Sequence, residues 1–160
     1  MENSAVVKIH NYAISNKSGI VELLIPSKLL GGASIIFDRE SLPSSIATEL
    51  WDESLKIESR RLDSLELGKI DLIKIDIEGA EAIAWDGIEK ALNPDTKIVI
   101  EFGNYLPAEF IAYIYHNYQV KQILTDGGEG RLTLKQLHKL DDWVMAILTP
   151  KRKGRRFRRK

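Results

Sequence analysis

The stretch Ile70-Asp-Leu-Ile-Lys-Ile-Asp-Ile-Glu-Gly-Ala-Glu81 constrains the fold of this chain more than any other. An apolar run from Leu72 to Ile77 carries Lys74 and Asp76, with Glu78 following, at alternate positions. Side chains of a strand alternate faces. Lys74, Asp76 and Glu78 therefore point one way, and Ile73, Ile75 and Ile77 the other. Gly79 breaks the pattern, and Ala80 to Leu92 reads as a helix with Ile83, Ala84, Ile88, Ala91 and Leu92 on one face. Two carboxylates at the end of a buried strand, just before a Gly turn into a helix, occupy the ligand position of an open α/β sheet. The plain alternative is a strand that ends in solvated acids. Lys74 speaks for the first reading, because an unpaired charge in mid-run is costly.

The flanking segments set the fold class. Val6–Ile14 is strand-like, Asn16 to Gly19 is a turn signal, and Ile20–Ile25 resumes as a strand that stops at Pro26. Gly31-Gly32 lacks the spacing of a phosphate-cradling loop and reads as a turn. Residues 38–50 are polar and read as a loop. Glu53–Arg61 is strand-like, and Asp63 is placed to cap a short turn. Asn93-Pro94 stops the helix. Lys97–Phe102 is a second buried strand with Glu101 at its end, and Pro107 starts a helix with Phe110, Ile111, Ile114 and Tyr115 inward. Tyr118–Leu124 is another strand, residues 126–130 a flexible loop, Leu132–Leu140 a short helix or turn, and Trp143–Leu148 a last strand. Strand and helix alternate from residue 70 to 117 and strands then follow in succession. That order predicts an α/β sheet, mainly parallel, with an antiparallel strand near one edge.

Composition bounds the chemistry. At 160 residues, 44% of them hydrophobic, one domain over residues 1–150 has room for a core. With no cysteine there is no disulfide, thiolate metal site or Cys nucleophile, and a cytoplasmic setting is expected. No run approaches a membrane span. The zero formal charge hides an asymmetry: residues 151–160 hold only basic charges, so the body is acidic. The tail is expected to be a solvated terminus, with nucleic-acid binding the alternative it invites. Asp76, Glu78 and Glu101 offer hard oxygen ligands, yet no ligand spacing fixes them and no metal is expected. His10, His116 and His138 are scattered, with surface or strand-end positions expected. Trp51, Trp85 and Trp143 are expected to pack.

The strings Leu62-Asp63-Ser64-Leu65, Ile70 to Glu81, Trp85-Asp86-Gly87 and Ile98-Val99-Ile100-Glu101 resemble the FkbM-type methyltransferases. Upstream, Ile9 to Ser15, Gly19 and Val21-Glu22-Leu23 look like that family's third strand and following hairpin, so the likeness covers about residues 6–148. It implies a partial Rossmann-like sheet with an inserted hairpin, and S-adenosylmethionine-dependent methylation of a hydroxyl on a small acceptor such as a sugar or natural product. It further implies that Asn11 and Ala13 lie near the adenine, that Asp76 and Glu78 face methyl donor and acceptor hydroxyl, and that Glu101 binds the acceptor. Asp76 or Glu78 would serve as base or as partner of the sulfonium, with Lys74 in a buried ion pair among them. The family's sheet order is 3-2-1-4-5-7-6. Its first two strands, with the Gly-rich cofactor turn, have no counterpart from Val6 onward, and neither Gly31-Gly32 nor Gly127 to Gly130 substitutes. The expected consequences are a domain lacking those two strands, weak S-adenosylmethionine binding by this chain alone, and an exposed edge on the central strand that invites self-association or re-pairing or leaves the chain poorly stable. A non-catalytic remnant of the same scaffold is the other reading of such a chain.

Overall fold

The computed structural model describes residues 6–25, 33–35, 53–141 and 143–151. Within them the chain forms β1 (Ala13–Ile14), β2 (Gly19–Ile25), β3 (Glu53–Arg60), a 3-10 turn (Leu62–Ser64), β4 (Leu72–Ile75), α1 (Glu81–Ala91), β5 (Lys97–Gly103), α2 (Ala108–Asn117), β6 (Tyr118–Ile123), β7 (Glu129–Arg131), α3 (Leu134–Leu137) and β8 (Trp143–Pro150). Five strands make one mixed sheet in the order β4-β5-β8-β6-β7, and three make a smaller one, β1-β3-β2. The α/β class is as expected, and the run β4-β5-β8-β6 follows the expected order 4-5-7-6.

The proportions differ from expectation. In the larger sheet only β4 and β5 pair in parallel; β8 runs against both β5 and β6. β4, β5 and β6 thus run one way and β8 and β7 the other, so an antiparallel strand does stand at one edge of the described sheet, as expected, and a second lies inside. The edge strand β7 exists because residues 126–130, expected to be a loose loop, close a hairpin. Asp126 accepts from the Gly128 amide at 2.8 Å, and β7 pairs with β6 beyond that turn.

The strand expected over Val6–Ile14 is present only as Ala13–Ile14, parallel to the end of β3. Val6 and Ile9 are 89% and 90% exposed. A strand is held by its ladder, and no described strand lies beside residues 6–12. The expected hairpin does form, as seven antiparallel residue pairs between β2 and β3. The expectations for Gly31-Gly32, residues 38–50, Trp51 and the tail past Lys151 lie outside the described residues.

The main core joins Ile75, Ile98, Ile100, Phe102 and Leu148 of the sheet to Ala84, Trp85 and Ile88 of α1 and Phe110, Ile111 and Ile114 of α2. Trp85 meets Phe110 and Tyr118 edge-on at 5.6 and 5.7 Å, geometries that exceed area burial in value. Trp143, expected to pack, is half exposed near the start of β8, and the three histidines are at the surface as expected. The loop after α1 sets β4 against β5. Thr96 Oγ1 donates to the Ile70 carbonyl at 2.7 Å and accepts the Asn93 amide at 3.0 Å. No helix among the described residues is long and apolar enough to cross a membrane.

Two of the sequence strings that look chemical meet each other instead. Asp63 does not cap the 3-10 turn: Arg61 takes it at 2.7 Å and reaches Asp86 of α1 at 2.9 Å and the Asn16 carbonyl at 2.9 Å. Gly87 lets α1 approach this turn, since a Cβ there would stand 3.3 Å from the Leu62 backbone nitrogen. Leu62-Asp63-Ser64 and Trp85-Asp86-Gly87 are therefore two sides of one joint. Gly87→Leu should destabilise the fold by about 1–3 kcal/mol through overpacking, read as a lower denaturation midpoint; an unchanged midpoint would mean that the contact is not a constraint.

Candidate active site at the strand tips

Parallel register places Ile75 opposite Ile100. The next residue of each strand line, Asp76 and Glu101, therefore falls side by side at the same end and on the same face. Glu78 joins them. One carboxylate oxygen from each of Asp76, Glu78 and Glu101 lies within 4.8 Å of the other two. The strand expected over Leu72–Ile77 ends at Ile75, and it is the β4–β5 register together with the following turn that brings the three candidate acids together.

A tight turn aims Glu78. The Ala80 amide donates to the Ile77 carbonyl at 3.3 Å, and both central residues have positive φ, 53° for Glu78 and 89° for Gly79. Gly79 adopts that backbone freely, whereas a side-chain-bearing residue held there costs roughly 1–3 kcal/mol, and such strain clusters at functional sites. Glu81 braces the turn from inside α1: fully buried, it accepts the Ile77 amide at 3.1 Å through Oε1. Its Oε2 has no partner among the described residues, and burial pushes its carboxyl up.

Lys74 is paired, as expected, but not buried. Its ammonium hydrogen-bonds Asp76 Oδ2, while its side chain stays largely exposed because β4 has no described neighbour on its other side. That bond holds the Asp76 carboxyl below the usual carboxylate range. Glu101 behaves oppositely. Burial, and then its hydrogen bond with Asp76, push its carboxyl up to about 7. Burial and the charge of Asp76 also raise Glu78. Environment separates the two neighbours: Asp76 is the ionised member and Glu101 the proton-holding one.

Two participants lie outside the set read from the sequence. Tyr105 donates its phenol to Glu101 Oε1 at 2.9 Å, and Glu81 braces the turn. Glu81 ends the motif string, yet an acid in a first helical turn gives no sign that it bonds backward to a strand. Tyr105 follows Glu101 by four residues across a turn, a spacing without a periodic signature.

Of the expected cofactor residues, Ala13 on β1 packs against a small core of Val21, Ile35 and Ala80, which Ile77 also touches. The β1-β3-β2 sheet is thereby seated against the turn that carries Glu78. Asn11 is exposed just before β1. Three hard oxygens at this spacing can hold a divalent cation, but Asp76 and Glu101 already have Lys74 and Tyr105 as partners, and we assign no metal. Two clefts, about 470 Å³ beside Val120 and Arg131 and about 540 Å³ beside Glu89 and Tyr113, are lined by none of these acids.

The family model described as the methyltransferase FkbM domain matches residues 2–137. Among solved structures, a TehB-like SAM-dependent methyltransferase from Corynebacterium glutamicum ATCC 13032 Kitasato is similar, at 16% identity and a TM-score of 0.34. The match covers 58% of this chain and 55% of that chain, so this chain spans about half of its length. A likeness of that degree carries no argument by itself. No curated protein matches the chain.

The raised carboxyl has a consequence for folding. Glu101 binds its proton more tightly folded than unfolded, so its contribution to stability is full below the ordinary carboxylate range and is lost as pH rises through about 7. Glu101→Gln should therefore melt a few degrees higher than the wild type at pH 8 and no higher at pH 5. Equal melting differences at both pH values would contradict the assignment.

Proposed function

Because this chain belongs to the FkbM methyltransferase domain family, we propose that it forms the acceptor side of an S-adenosylmethionine-dependent methyltransferase. Its substrate is a hydroxyl on a small acceptor, a sugar or a natural product. The observation that carries this reading is the convergence of Asp76, Glu78 and Glu101 at the ends of two parallel strands. An acid-rich site with Asp76 held ionised suits a cationic sulfonium.

S-adenosylmethionine, when bound, supplies an electrophilic methyl carbon whose bond to sulfur breaks as the bond to the acceptor oxygen forms. The chain's own residues then have three tasks. Asp76 stays ionised and offsets the positive charge of the donor. Glu101 takes the hydroxyl proton as that bond forms, since a base titrating near 7 combines an available lone pair with real basicity. Glu78, on its strained turn, binds and orients the acceptor, because positioning supplies much of the rate of an in-line displacement. Asn11 and Ala13 line the adenine side. A cytoplasmic setting accords with the cysteine-free sequence.

The test is transfer of labelled methyl from S-adenosylmethionine to a panel of glycosides and polyols. Turnover should rise with pH through about 7 as Glu101 loses its proton, and Glu101→Gln should lower it by about 10²-fold or more. A variant as active as the wild type, with an unaltered pH profile, would remove Glu101 from the chemistry.

The open side of β4 supports a second proposal, about partners. Leu72 is 61% exposed on a strand with no described neighbour on that side, and such an edge pairs readily with further backbone. The chain self-associates through this edge. Leu72→Lys should reduce the associated fraction in sedimentation velocity, and an unchanged distribution would refute the edge as the contact.

A further inference from the structure

Tyr105 sits in a place that the backbone has been shaped to admit. Its ring atoms lie 2.5 and 2.6 Å from where a Cβ on Gly103 would stand. Gly103 has no positive φ, so its conformation does not call for glycine; the tyrosine ring does. The residues on either side of Tyr105 are anchored. Asn104 Nδ2 donates to the Leu140 carbonyl at 2.8 Å, and Leu106 is buried in the main core. Between them the chain turns back over the tip of β5, and the phenol reaches Glu101 Oε1 at 2.9 Å.

Resting on the reading of Glu101 as the acceptor-side base, we propose that Tyr105 is a positioning residue. Its phenol, admitted by Gly103, occupies Glu101 Oε1 and leaves the other carboxyl oxygen to face Asp76 and an acceptor hydroxyl. A rotating carboxyl would present either oxygen to the reacting group, and a fixed one presents a single lone pair in a single direction. Burial and the nearby acids push the Tyr105 hydroxyl well above its ordinary value, so it remains a donor wherever Glu101 titrates. Donation to the carboxylate favours the ionised form, opposing the burial that favours the protonated one.

The other groups that face Glu101 are distinct in origin. Asp76 and Lys74 come from β4 and its tip, Glu78 from the turn and Glu81 from α1. On the β8 side its register partner is Met145, which carries no charge. Among these, Tyr105 is the neutral donor that adds no charge of its own, so its removal changes the orientation and proton affinity of Glu101 without altering the local charge.

The experiment is a carboxyl ¹³C NMR titration of the protein labelled at glutamate, with Glu101→Gln used to identify the signal. The wild-type midpoint is expected near 7. Tyr105→Phe should move it upward by about one pH unit, the effect of losing one hydrogen bond to a carboxylate. Gly103→Ala, which keeps the phenol but pushes the ring off its seat, should move it the same way. Midpoints unchanged or lowered in variants with wild-type circular dichroism would overturn the proposal, and if Tyr105→Phe fails to fold, Gly103→Ala decides alone. Methyl transfer is read separately: a wild type inactive on every acceptor strikes at the function proposed for Glu101, while the titration still reports whether Tyr105 governs its carboxyl.

Discussion

The parallel registration of β4 on β5 is the constraint on which the rest depends. With Ile75 opposite Ile100, Asp76 and Glu101 must emerge side by side. A slip of one residue between the two strands would put Asp76 and Glu101 on opposite faces of the sheet. Several unrelated contacts hold that register: the Thr96 hydroxyl on the Ile70 carbonyl, the apolar layer of Ile75, Ile98 and Ile100, and the helix α1 seated on the Leu62–Ser64 turn through Gly87. The residues that establish the scaffold are therefore mostly distant from the acids they position.

Bringing carboxylates together is unfavourable unless something divides the charge among them. Here the division follows from exposure. Asp76 stands at the open side with Lys74 against it and remains ionised, while Glu101 lies under Tyr105 and keeps its proton to about neutral pH. Glu78 is held on a positive-φ backbone, and Glu81 is buried with one oxygen that has no partner among the described residues. Strain and incomplete pairing are concentrated within a few residues, as is common where a protein trades stability for function.

Much of this arrangement is legible in the chain itself. The alternation from Leu72 to Ile77 sets Lys74 and Asp76 on one side with Glu78 following, Gly79 marks the turn, and Asn93-Pro94 ends the helix. Less legible is anything that needs a partner. Val6–Ile14 has the composition of a strand but only two of its residues find a ladder. Lys74 reads as buried because the run around it is apolar, although its strand is an edge among the described residues. Leu62-Asp63-Ser64 and Trp85-Asp86-Gly87 stand out as motifs, yet what they do is join a turn to a helix through Arg61.

By itself the sequence determined the α/β class and the family resemblance and singled out Asp76, Glu78 and Glu101 as candidates, because period-two alternation and turn residues are local properties of the chain. Only the tertiary structure decided which acid's proton affinity is lowered and which is raised, that Glu81 braces the turn, and that Tyr105 caps Glu101. Proton affinity depends on burial and on neighbours from other elements, and those neighbours become neighbours only when the strands register and the helices close over them.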